Sequence, residues 1–114
     1  MERLERNLEF LNVISELTPK QIKKSLKVAS VDEIQAIVEI CINLKKLDLV
    51  NSEIKYLKAS QPLLKKIDNK KYRKGNISSV KNLLVENSKY LNPIIITVLK
   101  KRIEGAFCRF LDNV

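Results

Sequence analysis

Apolar residues recur at helical spacing along nearly the whole chain, and little interrupts them. Leu4, Leu8, Leu11 and Ile14 stand at i, i+4, i+7 and i+10, which is one face of a helix. Only two glycines and three prolines punctuate 114 residues. Hairpin turn chemistry is therefore scarce, and the Leu, Ile, Lys and Glu that dominate are helix formers with few aromatics among them. The pattern predicts an all-α fold: a single compact bundle of about six short-to-medium helices, with residues 1–114 as one helical domain.

The predicted elements follow from caps and breakers. A first helix covers about Glu2 to Glu16. Thr18 then reads as an N-cap with Pro19 at the first helical position, opening a short helix to about Val28 that buries Ile22 and Leu26. Ser30 and Glu33 have the spacing of a capping box for a third helix to about Lys46. Its Ile34, Ile37, Val38, Cys41 and Leu44, widened by Ile40 and Ile42, make it the most apolar and hence the central helix. A fourth helix restarts at Asn51 or Ser52 and carries Ile54, Leu57, Leu63, Leu64 and Ile67 to about Asn69. Pro62 predicts a kink or break near Ala59–Gln61. A basic connector runs from Lys70 to Asn76 and ends beside Gly75. Ser78 or Ser79 is expected to cap a fifth helix with Val80, Leu83 and Leu84. Asn92-Pro93 repeats the Thr18-Pro19 device and opens a last helix to about Leu111, with Ile95, Leu99, Ile103, Ala106 and Phe110 on one face.

Several chemistries are absent from this alphabet. There is no histidine, so the usual general acid/base and the commonest zinc ligand are missing. Cys41 and Cys108 lie far apart with no CxxC, and each sits among apolar neighbours, so both read as buried thiols. Asp32 with Glu33 reads as part of a helix cap, and Glu2, Glu5 and Glu9 as the wet side of an amphipathic helix. No glycine loop or activated nucleophile accompanies them. The expectation is a non-enzyme with no cofactor, no metal and no small-molecule substrate. The N-terminus mixes both charge signs and has no apolar run behind it, and Ile94-Ile95-Ile96 with Val98-Leu99 is too short for a membrane span. A soluble, intracellular protein is expected.

Charge supplies the functional signal. Residues 1–50 hold eight Lys/Arg and eight Asp/Glu, a neutral half, whereas residues 51–114 hold fourteen and five and carry all of the +9. Within that basic half Lys65, Lys66, Lys70, Lys71, Arg73 and Lys74 fall in ten residues opposed only by Asp68. Such a cluster favours a polyanion through counterion release. Lysine far outnumbers arginine, which points to backbone contact rather than base reading. Lys100, Lys101 and Arg102 form a second run; at about 100° per residue at least one must flank the apolar face, while the others face solvent and would join the first cluster in one stripe. Tyr72 stands between Lys71 and Arg73, where its ring can stack on a base or pack on the bundle; Tyr56 and Tyr90 are expected to pack. The helix pair Pro19–Val28 and Val31–Lys46 has helix-turn-helix order. Its second helix, however, is too apolar to face a groove.

Leu17-Thr18-Pro19-Lys20-Gln21-Ile22-Lys23-Lys24, then Leu26 to Ser30, then Ile34 to Leu44 with Glu39 and Asn43, resembles a small basic protein family. That family is encoded by Maverick/Polinton-type mobile elements and related double-stranded DNA viruses of animals. Tyr56 to Lys74 and Leu83-Leu84-Val85 look like its two Lys-rich parts, and the resemblance covers about residues 10–100. The chain departs where the family has Gly-Gly-Phe, with Glu86-Asn87-Ser88-Lys89-Tyr90, and where it has Gly after the Asn-aliphatic pair, with Lys45-Lys46. The resemblance implies a viral or mobile-element origin and a virion- or DNA-associated role.

Together these readings give two expectations. The first is a protein that binds the nucleic-acid backbone, DNA above all, through a lysine-rich face during packaging or genome condensation, its neutral half leaving room for self-association as a homo-oligomer. The second is a helical protein–protein interaction module, a minor capsid or scaffold component or a mimic of host-signalling adaptors, whose basic face meets an acidic protein surface. Converging lysines favour the first; scattered lysines beside an exposed Leu/Ile patch favour the second.

Overall fold

A computed structural model describes residues 2–44, 49–67 and 77–103 of the chain, with side chains as far as Lys101. Among the described residues the fold is all-α. Its helices are α1 (Glu2–Arg6), α2 (Leu8–Glu16), α3 (Pro19–Val28), α4 (Val31–Asn43), α5 (Asn51–Tyr56), α6 (Gln61–Ile67), α7 (Ile77–Glu86) and α8 (Leu91–Ile103). Single 3₁₀ turns at Lys58–Ser60 and Ser88–Tyr90 lead into α6 and α8.

The caps explain why α3 and α4 begin where they do. The Gln21 N–H donates to Thr18 Oγ1 at 3.3 Å and the Thr18 N–H to Gln21 Oε1 at 3.0 Å. Ser30 and Glu33 form the same reciprocal pair at 3.1 and 2.8 Å. Each box satisfies two donors that the first helical turn leaves without partners. As expected, α4 is the central helix, packed against α1, α6, α7 and α8. Ile34, Ile37, Val38, Ile40 and Cys41 are buried on it, and Leu44 just beyond its end. Around it close Leu11 and Ile14 of α2, Ile22 and Leu26 of α3, Leu63 and Ile67 of α6, Leu84 of α7, and Ile94, Ile95 and Val98 of α8. Cys41 is a buried free thiol, and desolvation pushes its pKa up to about 12. Every buried side-chain nitrogen or oxygen among the described residues has a hydrogen-bond partner.

Four expectations change. The first helix divides at Asn7, whose backbone (φ −108°, ψ 17°) leaves the helical region. Its amide donates to the Arg3 carbonyl at 2.8 Å and ties the break to α4 through Asp32. The break expected near Ala59–Gln61 is present, over Leu57–Ser60, so that Pro62 sits in the first turn of α6 and deletes no helical bond. α7 begins at Ile77, which places Ser78 and Ser79 inside its first turn rather than at a cap. α8 begins at Leu91, so Asn92 is not its cap either. The Asn92 amide instead donates to the carbonyls of Ser15 at 2.8 Å and Leu17 at 3.2 Å, closing the C-terminal end of α2. Finally, Ile54 is half-exposed and Glu53 takes the inward position on α5. Asn69, the connector 70–76, Ala106, Phe110 and Cys108 lie outside the described residues.

Candidate nucleic-acid interface

Where the acids go decides which basic groups remain available. On α1, Arg3 Nε reaches Asp32 Oδ1 at 3.1 Å and Arg3 Nη1 reaches Glu39 Oε1 at 2.7 Å. Arg6 Nη2 meets the same Asp32 oxygen at 3.0 Å, and Arg6 Nη1 lies 3.7 Å from Glu2. The Asn7 amide adds a bond to Asp32 Oδ2 at 2.8 Å. Asp32 is therefore not a capping group, as its place beside Glu33 suggested, but the acceptor that fastens α1 to α4. Donation from Arg6, then from Asn7, holds its carboxyl at about 2, well below the usual range. The Arg6 guanidinium is raised in return, chiefly by its bond to Asp32.

A second pair lies inside the molecule. Lys101 Nζ is 2.9 Å from Glu53 Oε1, and both side chains are only 9% exposed. The Glu53 carboxylate also accepts from the Val50 N–H at 3.0 Å, which closes the N-terminus of α5. The bond from Lys101, followed by that from Val50, lowers the Glu53 pKa. Lys101 is thus withdrawn from the expected basic run. The reason is angular: consecutive residues on a helix diverge by about 100°, and here the middle of three cations turns inward.

Of the other anticipated residues, Lys65 and Lys66 are exposed on the last turn of α6, a helix without acids. Lys100 is exposed on α8. Lys70, Lys71, Tyr72, Arg73 and Lys74, and the side chain of Arg102, lie outside the described residues. Tyr90 packs half-buried against the core with the Lys89 ammonium 5.0 Å from its ring centre. Tyr56, expected to pack, is half-exposed.

The basic group that charge counting missed is on α3. Lys20, Lys23, Lys24 and Lys27 are all exposed, and the helix contains no acid. Among the described residues no carboxylate lies within ion-pair distance of any of them. Their spacing at i, i+3, i+4 and i+7 was visible in the sequence. It was hidden by the neutral total of residues 1–50, whose described acids stand on α1, α2 and α4.

Exposed large apolar side chains are spread over several places: Val13 on α2, Val28 and Val31 where α3 passes into α4, and Val50, Ile54 and Tyr56 at α5. Beside α5 a pocket of about 180 Å³ is lined by Leu44, Leu49, Ile54, Leu57 and Leu64. Among the described residues no group of three or more acidic or cysteine side chains could hold a metal, and no helix is long and apolar enough to cross a membrane. The chain matches no protein-family model, no curated protein and no solved structure.

Proposed function

We propose that this protein binds the nucleic-acid backbone, DNA above all, with little sequence preference, in a packaging or genome-condensing role. One observation carries the reading. The described ion pairs engage Arg3, Arg6 and Lys101, while exposed lysines on α3 and α6 have no acidic partner among the described residues. Those ammonium groups add to a net charge of +9. Lysine on a long stem suits phosphate as a point charge and does not fork onto base edges. The anticipated cluster of Lys65, Lys66, Lys70, Lys71, Arg73 and Lys74 belongs to this reading, and the resemblance to the Maverick/Polinton family accords with it.

Fluorescence anisotropy of a short duplex across a salt series tests it. Binding that is firm at low ionic strength and falls linearly in log–log form is expected, equal for unrelated sequences. Absence of binding at low salt would eliminate the proposal. The apolar pocket beside α5 favours the second reading, a protein partner. A complex that survives high salt and involves Ile54 and Tyr56 would select it.

A further inference from the structure

Resting on that reading, we infer that α3 is the principal docking row for a nucleic-acid duplex, with Lys81 and Lys89 extending it. At 100° per residue the four α3 lysines span about 100° of the helix circumference. Ile22 and Leu26 lie about 150° and about 110° from the centre of that arc, and both are fully buried. The helix is therefore anchored by one side and offers the lysines on another. Lys20 to Lys27 covers about 10 Å of axis at 1.5 Å per residue, against a duplex charge every ~1.7 Å, so a row of this length meets several phosphates at once.

The neighbours reinforce the row. α3 packs on α7 and on the Ser88–Tyr90 turn. From α7 the Lys81 ammonium donates to the Lys27 carbonyl at 2.7 Å, which places a fifth positive charge at the C-terminal end of α3. That charge also complements the helix dipole there. Lys89 stands on the turn that packs against the same helix, its ammonium set over the Tyr90 ring.

The surface fits a linear polyanion better than a bilayer. An interfacial helix needs its apolar face free to enter the headgroups, and here Ile22 and Leu26 are sealed in the core, with Val28 alone among the large apolar side chains of α3 exposed. It fits backbone contact because the row contains lysine alone; Gln21, exposed beside it, has its Oε1 engaged by the Thr18 N–H in the helix cap.

The test compares the full chain with two variants on the same duplex by anisotropy across salt, with thermal melts as a control. K20Q/K23Q/K24Q/K27Q is expected to melt like the wild type, to bind at least about tenfold more weakly, and to lose about three units of log–log salt slope. K20R/K23R/K24R/K27R is expected to keep both affinity and slope. If the glutamine variant binds as wild type while K65Q/K66Q/K70Q/K71Q/R73Q/K74Q loses binding, this inference falls and the proposed function stands. If the wild type does not bind the duplex at all, both fall. Loss of binding by the α3 variant to phosphatidylserine vesicles but not to the duplex would also overturn it, by assigning the row to a membrane.

Discussion

Two regions of the first half both carry cationic side chains and use them in opposite ways. Across α1 and α4, arginines meet carboxylates side by side: Arg3 and Arg6 converge on Asp32, with Glu39 and Glu2 completing the set. On α3 four lysines face solvent with no described acid in reach. The first region fastens two helices together. The second leaves its charge outside the fold, where it is free to act on another molecule. A neutral sum over residues 1–50 thus conceals a net-negative seam and a positive face, and net charge by segment is a poor guide once helices sort the signs.

Substitutions can break this contrast in graded steps. The largest effect should come from the deepest pair. Lys101→Ala leaves the Glu53 carboxylate buried without its cation, and denaturant melts should show a loss of about 3–5 kcal/mol. Ile37→Ala, at the centre of α4, should cost about 2–5 kcal/mol by opening a cavity. A melt indistinguishable from wild type would remove Ile37 from the core.

Asp32→Asn should lower stability by less, because the seam is partly in water. It should also remove part of the acid sensitivity. The sign follows from the direction of the shift. Asp32 is depressed to about 2 in the folded chain, against about 3.9 in an unfolded one, so its contribution is present above pH ~4 and disappears as pH falls towards 2. Stability profiles of wild type and Asp32→Asn should therefore converge on acidification; parallel profiles would contradict the role given to Asp32. The smallest effect on stability belongs to K20Q/K23Q/K24Q/K27Q, whose thermal midpoint should stay near that of wild type because each site is an exposed surface position.

What could be read from the letters was local. Thr18 and Ser30 signal helix starts through residues three positions away, and the apolar spacing of α4 is written in one continuous segment. Such signals survive folding because they depend on a few neighbouring dihedrals and one face. What escaped depends on distant partners. Nothing near Asn92 reveals that it will close α2, since its acceptors lie more than seventy residues earlier. The inward turn of Lys101 requires the rotation of α5 that brings Glu53 to face it. Asp32 looked like part of a cap because its sequence neighbour is one. Of the anticipated interface, Lys65, Lys66 and Lys100 are on the surface as expected, and Lys101 is not. The α3 row was legible in spacing but was masked by summing charge over half the chain.

The most direct test of the contrast is a ¹⁵N-resolved NMR titration of the full chain with a short duplex. The account predicts perturbed amides along Lys20–Val28 and at Lys81 and Lys89, with those of Glu2–Arg6 and Asp32–Glu39 left in place. Perturbations centred on α1 and α4, with α3 unmoved, would contradict it.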